Sequence, residues 1–265
     1  MDDDDALVGR VLSRREALGL LGAAAVLLPA CTSGGSSVKE STQAVSSTTA
    51  ATTGTTAATA LAPTTTVLSA ANVAAPTCVV KPELTEGPYF VDEKLNRSDI
   101  RIDPSNSSTK PGAPLKLNFV VTRVASNGGC AALTGATVDV WHCDAGGLYS
   151  DVSANQTVGQ KFLRGYQTTD ANGACAFTTI YPGSYQGRAV HIHFKIRSGG
   201  QEFTSQLFFD DSFTTQVYAS SPYRSGSRTM NSQDDIFRQS NNQLTLDVKK
   251  DGSGYASTFF VGMRF

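Results

Sequence analysis

Apolar and polar residues alternate along the part of the chain that follows Ala75, and this alternation predicts a β protein. Successive side chains of a strand point to opposite faces, so a period of two marks a strand with one buried face. Turn sequences rich in Gly, Asn and Asp separate the alternating runs, as at Asp170–Gly173 and Asp251–Gly254. The pattern predicts strands at Leu115–Val124, Thr137–Trp141, Ala174–Ile180, Ala189–Ile196, Thr204–Phe209 and Tyr255–Met263.

Short strands at this spacing favour an all-β fold, an antiparallel β-sandwich with a loop-rich C-terminal part. One short helix is predicted, near Asp234–Ser240. The composition agrees, because 24 glycines, 10 prolines and only 17% charged residues suit a loop-rich β protein better than a helical one. The formal net charge of −1 indicates no basic surface, so no nucleic-acid partner is predicted.

Residues 1–31 have the organisation of an export signal and are kept apart from the fold. Ser13–Leu18, which contains Arg14 and Arg15, resembles a twin-arginine motif, and an apolar stretch follows it. That stretch is shorter than the roughly 20 residues that span a bilayer as a helix. Leu28–Cys31 then resembles a lipobox, which predicts a lipid anchor at Cys31, with free secretion as the alternative. Both interpretations predict an extracytoplasmic protein.

Residues 32–75 consist almost wholly of Ser, Thr, Ala and Gly and contain no aromatic residue. Such a segment cannot bury enough apolar surface to fold, so a disordered linker is predicted. Residues 76–265 form the predicted folded domain, which is long enough to bury a core of its own.

Two histidines separated by one residue, His191 and His193, are the chemically most informative feature of the domain. Residues i and i+2 of a strand share a face, so both imidazoles can bind one metal ion. The whole chain has only three histidines. Tyr185 lies six residues before His191, and Tyr149 lies 42 residues before it. For the histidines alone, the alternative is an exposed strand face that carries two polar rings.

Several stretches around these residues resemble the intradiol ring-cleavage dioxygenases, non-haem iron(III) enzymes that open catechols between the two hydroxyls. The stretches occur in the family's order from about residue 78 to the end of the chain, and together they are far more specific than any one of them. They are Thr85–Phe90 (Thr-Glu-Gly-Pro-Tyr-Phe), Leu133–Ser150, Thr169–Gly173, Pro182–Phe194 and Ser205–Asp210. The resemblance is to secreted, single-domain members, because no helical dimerisation segment is visible before the domain. The oligomeric state stays open.

The resemblance implies a transthyretin-like β-sandwich that holds an Fe(III) ion. Its ligands would be Tyr149, Tyr185, His191 and His193. Ferric iron favours anionic oxygen ligands, and tyrosinate also ligates it in catalase. By position in the motifs, Tyr149 is expected to stay bound throughout the reaction, and Tyr185 to leave the metal when substrate arrives.

Other residues are expected at the substrate. Arg188 resembles the family arginine that stacks on the substrate ring and steadies negative charge, and Gln206 resembles the glutamine that positions the ring. Gly87, Pro88 and Tyr89 are expected to line the pocket wall, with a plain turn as the alternative. The implied reaction cleaves a small aromatic diol with O2 to a cis,cis-muconate and needs no organic cofactor.

Other classes of site and function compete with this interpretation. A cupin would place a glutamate three or four residues after its paired histidines, but the next glutamate here is Glu202. The two-histidine, one-carboxylate triad lacks its carboxylate, and zinc would leave both tyrosines unexplained. The alternative of a different class is a non-catalytic, transthyretin-like surface lipoprotein that binds an aromatic or glycan ligand. The loops expected to distinguish ring substituents, Asp151–Lys161 and Asp211–Asp235, do not identify the substrate.

Four cysteines remain in the mature domain: Cys78, Cys130, Cys143 and Cys175. An even number in an exported protein is compatible with disulfides. Three complete pairings are possible, and the sequence does not choose between them. None of the four has Cys-x-x-Cys spacing, so a structural role is predicted for them, as it is for His142.

Overall fold

A computed structural model of the protein describes residues 78–264, which form two packed β-sheets. The predicted signal and linker, with Cys31, lie outside the described residues. The strands are β1 (Pro114–Val124), β2 (Cys130–Ala132), β3 (Thr137–Trp141), β4 (Arg164–Thr168), β5 (Ala174–Ile180), β6 (His191–Ser198), β7 (Gln201–Phe208), β8 (Lys249–Asp251) and β9 (Gly254–Arg264). The helices are α1 (Asp211–Tyr218) and α2 (Asp235–Gln239).

The two sheets confirm the predicted all-β sandwich. One sheet has the order β2-β1-β9-β8, with β5 beside β1, and the other has the order β4-β3-β6-β7. The neighbouring strands of the second sheet are all antiparallel. In the first sheet β1 and β9, which are far apart in sequence, pair in parallel along ten residues. Alternation within a strand gives no information on its partner, so this parallel pair was not predicted.

The core lies between the sheets and is built from alternate positions of their strands. Leu115 and Leu117 of β1 are fully buried, whereas Lys116 between them is exposed. Phe119, Phe194 and Phe259 come from three strands and pack with ring centroids 5.4–6.1 Å apart. Aromatic rings at these separations contribute beyond the apolar area they bury.

Six of the strands lie where alternation predicted them, and the other elements were missed for identifiable reasons. β2 and β8 have only three residues each, too few to show a period, and β4 is largely polar. The predicted short helix is confirmed as α2. Helix α1, however, occupies part of the predicted loop 211–235. Its first turn is capped by Asp210, whose carboxylate accepts from the N–H of Phe213 at 2.9 Å.

The face of the second sheet that points away from the core carries the residues of chemical interest. Along β6, Ile192 and Phe194 enter the core cluster, and His191 and His193 point to the opposite face. The strand register places four side chains in one row across all four strands, namely Arg164, Trp141, His193 and Gln206. All four are almost completely buried, so loops cover this face. Within residues 78–264 no helix is long and apolar enough to cross a membrane.

Candidate metal and substrate site

Four side chains converge above β6. The Nε2 atom of His191 lies 3.0 Å from Nε2 of His193 and 3.3 Å from each of the hydroxyl oxygens of Tyr149 and Tyr185. Tyr149 and both histidines are at most 2% exposed, whereas Tyr185 is half-buried. The structure therefore brings together the four residues predicted as metal ligands.

A hydrogen bond fixes the tautomer of His191. Its Nδ1 lies 2.7 Å from the backbone oxygen of Ala189, which can only accept, so Nδ1 carries the proton and Nε2 presents a lone pair. Burial lowers the pKa of both His191 and His193 well below the ordinary value. Burial also raises the pKa of the Tyr149 phenol well above its usual value. The site thus offers neutral imidazoles and, without a cation, protonated Tyr149.

The hydroxyl oxygens of Tyr149 and Tyr185 and the Nε2 atoms of His191 and His193 are called the donor set. Their chemistry fits a hard metal cation. The single lone pair on His191 Nε2 faces two hydroxyls and a second imidazole nitrogen, more neighbours than one lone pair can serve. A cation at the centre of these atoms would use all four as ligands, and deprotonated phenols would supply two negative charges. Within residues 78–264 no group of three or more His, Cys, Asp or Glu side chains could hold a metal. A site made from those residue types alone is therefore absent from the described part of the chain.

Beside the donor set, Arg188 and Gln206 form a buried hydrogen-bonded chain. The Arg188 guanidinium donates to Gln206 Oε1 at 2.6 Å, and Gln206 Nε2 donates to the backbone oxygen of Thr85 at 2.9 Å. These two bonds fix which end of the Gln206 amide faces the arginine. Arg188 is only 5% exposed, and on its other side Nε lies 3.1 Å from the carboxylate of Asp234. The sequence placed Arg188 and Gln206 in one site, and the structure brings them into direct contact.

Comparison with solved structures and family models identifies the fold and its relatives. The intradiol ring-cleavage dioxygenase from Tetranychus urticae is 29% identical to this chain, with a TM-score of 0.63. The match covers 71% of this chain and 95% of that one. A family model described as Dioxygenase matches residues 85–229, which is more than half of the chain. The chain belongs to the intradiol ring-cleavage dioxygenase family.

Curated relatives of this intradiol dioxygenase family member match over shorter segments. The chlorocatechol 1,2-dioxygenase of Pseudomonas putida is 34% identical over an alignment of 97 residues, and the match covers 29% of this chain and 36% of the relative. The protocatechuate 3,4-dioxygenase beta chain of Burkholderia cepacia is 32% identical over an alignment of 120 residues, and the match covers 40% of this chain and 51% of the relative. The chain thus spans about half or less of the length of these relatives. Their names refer to different ring substrates, so family membership leaves the substrate open.

The segment predicted to line the pocket wall lies against the donor set. Gly87 has a φ of +73°, and a Cβ added to it would lie 3.1 Å from Cε1 of His193, so glycine suits both the backbone and the space. The ring of Tyr89 lies 4.6 Å from that of Tyr149, centroid to centroid. Pro88, between them, is exposed. Gly87 and Tyr89 therefore shape the site, and the contribution of Pro88 stays a prediction.

Three buried residues of the site were not identified from the sequence as part of it. Trp141 stacks on His193, with ring centroids 5.0 Å apart and an interplanar angle of 9°. Arg164 donates to the backbone oxygens of Tyr89 and Ser150, at 2.6 Å each, and so joins the segment that carries Tyr89 to the segment that carries Tyr149. The third is Asp234, which contacts Arg188. Trp141 and Arg164 could have been found from the register of β3 and β4 with β6, whereas no local sequence signal identifies Asp234.

His142 and the free cysteines lie outside the donor set. The ring nitrogens of His142 lie 2.8 Å from the backbone oxygen of Cys143 and 2.6 Å from Oγ1 of Thr179, and burial lowers the pKa of His142 to about 4. These contacts agree with the structural role predicted for it. Cys78 and Cys130 form a disulfide, one of the pairings that the sequence left open. Cys143 and Cys175 are free thiols.

Proposed function

We propose that this protein is an Fe(III)-dependent intradiol dioxygenase that cleaves a catechol-type ring with O2 and gives a cis,cis-muconate. The observation that carries the proposal is the convergence of two phenol oxygens and two imidazole nitrogens within 3.0–3.3 Å contacts around His191 Nε2. In the overall reaction the bond between the two hydroxyl-bearing carbons breaks. Both atoms of O2 enter the product, so no external reductant is required.

Tyr149, Tyr185, His191 and His193 would hold the iron. Ferric iron, when bound, would supply the Lewis acidity that gives a coordinated catechol ring carbanion character towards O2. The two tyrosines are in different environments. Tyr149 is 1% exposed and packed among other rings, whereas Tyr185 is half-buried and lines a cavity. With iron bound, the phenolate oxygen of Tyr185 would take a proton from an incoming catechol hydroxyl, and Tyr149 would keep its position; the greater exposure of Tyr185 supports this division of roles.

Arg188 supplies a fixed positive charge beside the reacting ring. Its guanidinium is held by Gln206 at 2.6 Å and by Asp234 at 3.1 Å, so it needs no reorganisation when negative charge develops on the substrate. Gln206 is fixed in turn by the backbone of Thr85. Preorganised charge and fixed geometry are the two contributions that this chain would make to the reaction rate.

The alternative function is that of a non-catalytic sandwich that binds an aromatic or glycan ligand. A binding module has no need for one buried and one half-buried phenol facing a pair of neutral imidazoles, nor for a buried arginine fixed beside them. These features favour the enzyme, because buried titratable groups with strongly shifted pKa values cluster at functional sites.

A visible absorption spectrum of the purified protein, reconstituted with ferric iron, tests the proposal. We expect a broad tyrosinate-to-iron charge-transfer band that shifts when catechol is added without oxygen. On admission of air, we expect O2 uptake equal to the catechol consumed, with formation of a muconate. Tyr149→Phe and Tyr185→Phe should each change the band, because each removes one phenolate.

Tyr166→Phe is the matched control, since Tyr166 lies on β4 outside the donor set, and it should leave the band unchanged. A protein that stays colourless after ferric addition would contradict the assignment of the tyrosines. A coloured protein that binds catechol but takes up no O2 would support the binding module instead.

A further inference from the structure

A cavity of about 830 Å³ opens beside Tyr185. Tyr185 lines it, and the hydroxyl of the same residue lies 3.3 Å from Nε2 of His191, so the cavity adjoins the donor set. Residues 224–229, which follow Tyr223 in the loop after α1, also line the cavity. Pockets of roughly 300–1,000 Å³ hold drug-sized ligands, so this space exceeds the needs of an unsubstituted catechol ring.

The lining of this cavity is polar. Apart from Tyr185, the described residues that line it include no aromatic or aliphatic side chain and no carboxylate. Hydroxyl and amide side chains predominate: Ser184, Gln186, Ser225, Ser227, Thr229 and Gln233. Ligand pockets are ordinarily lined mostly by apolar groups. The part of a ligand that enters this cavity is therefore hydrophilic.

Two arginines line the cavity, and only one has an ionic partner. Arg228 pairs with the carboxylate of Asp211 at 3.0 Å and also donates to Thr215 Oγ1 at 3.1 Å, so its charge is balanced. Arg224 is exposed and has neither an ion pair nor a hydrogen bond within residues 78–264. The cavity thus contains one uncompensated positive charge, carried by a side chain that binds carboxylates through two parallel hydrogen bonds.

We propose that the substrate is a catechol whose ring carries a chain ending in a carboxylate, and that Arg224 binds that carboxylate. The inference rests on the proposed ring cleavage, because the cavity adjoins the donor set that would hold the diol. It adds the size of the substrate and the sign of its charge. Arg224 is then a specificity-determining residue, whereas the donor set and Arg188 act on any catechol.

The test compares kcat/KM of the iron-loaded full chain for 3-(3,4-dihydroxyphenyl)propanoate, its methyl ester and catechol. The acid and the ester differ in charge but little in shape, so their ratio isolates the carboxylate. We expect the wild type to favour the acid through KM. Arg224→Gln should lower the acid-to-ester ratio about tenfold, which corresponds to about 1.4 kcal/mol. Arg224→Lys should retain part of the preference, since it keeps the charge but loses the paired hydrogen bonds.

Arg238→Gln is the matched control, because Arg238 is an exposed arginine of α2 that pairs with Asp235 and does not line the cavity. It should leave the ratio unchanged. The inference would be overturned by equal kcat/KM values for acid and ester, or by an acid-to-ester ratio that Arg224→Gln does not change. If catechol is still cleaved in that case, the proposed function stands. If none of the three compounds is cleaved, the proposed function fails. Calorimetric binding of acid and ester then decides: tighter binding of the acid that depends on Arg224 supports the carboxylate site, and equal binding overturns it.

Discussion

At the scale of single residues, Arg188 is positioned by Asp234, which lies 46 positions further along the chain. One carboxylate oxygen of Asp234 accepts from Arg188 Nε and from the backbone N–H of Ala189, at 3.1 and 2.8 Å. The other accepts from the N–H groups of Ile236 and Phe237, the first turn of α2. Asp234 is 2% exposed. It therefore ties the arginine to the start of α2 and fixes the direction of the guanidinium.

Asp234→Asn should lower kcat by roughly 10- to 100-fold, the size of effect seen when groups that orient a site are removed. The substitution keeps the shape of the side chain but takes the counter-charge away from Arg188. Iron binding should persist, because the carboxylate of Asp234 accepts hydrogen bonds from Arg188, Ala189, Ile236 and Phe237, which are not among the four candidate ligands. Steady-state kinetics together with the charge-transfer spectrum measure both effects.

The neighbouring exposed carboxylate provides the control for this change. Asp235 pairs with Arg238 on the surface, so Asp235→Asn should leave kcat near the wild-type value. If Asp234→Asn retained full kcat, Arg188 would not depend on Asp234. Loss of the absorption band along with activity would instead indicate a general loss of the fold.

At the scale of elements, the N-terminal strap, residues 78–90, connects one edge of the sandwich to the site. The Cys78–Cys130 disulfide fixes its start to β2. Its middle is held against β7, where the N–H of Leu84 donates to the backbone oxygen of Thr204 at 3.0 Å. Its end places Gly87 against His193. The strap therefore has two roles: it pairs with a backbone oxygen of the edge strand β7, and it lies against the site residue His193.

Replacing both cysteines, Cys78→Ser with Cys130→Ser, should reduce the free energy of unfolding by about 3–4 kcal/mol, because the bond closes a loop of 52 residues. Denaturant unfolding measures the change. Cys175→Ser, which removes a half-buried free thiol, is the control and should have a much smaller effect. A double variant with the wild-type midpoint would show that the strap is held by its other contacts alone.

At the scale of the whole molecule, the disulfide and the N-terminal sequence point to the same location. Disulfides persist in oxidising compartments and are rare in the cytosol. We propose that the protein is exported by the twin-arginine motif and anchored by a lipid on Cys31, residues that lie outside the described part of the chain. The linker 32–75 would then separate the catalytic domain from the membrane surface.

Metabolic labelling with a radioactive fatty acid in a bacterial host with twin-arginine export tests this proposal. We expect the wild type to be labelled and membrane-bound outside the cytoplasm. Cys31→Ser should abolish the label, and Arg14→Lys with Arg15→Lys should retain the protein in the cytoplasm. An unlabelled protein found free in the medium would instead support simple secretion after cleavage near Ala30.

The sequence by itself determined six of the nine strands of the described residues and the family to which the chain belongs. A period of two marks a strand and the face of each side chain, so the alternation located β1, β3 and β5 and put His191 and His193 on one face. Motif order identified the family and, with it, the four candidate ligands. The alternation of apolar and polar residues is a local pattern, and the family motifs are short stretches in a fixed order. Both can be read directly from a linear sequence.

Only the tertiary structure decided which distant segments meet. Four contacts join residues that are far apart in the chain. They are the parallel pairing of β1 with β9, the contact of Asp234 with Arg188, the stacking of Trp141 on His193 and the disulfide between Cys78 and Cys130. Such pairings depend on how the whole core packs, because one arrangement of the strands buries the apolar side chains best. No single segment of the sequence specifies which segment will lie beside it. The local pattern therefore identified the candidate ligands, and the packing of the sandwich specified which residues hold those side chains in position.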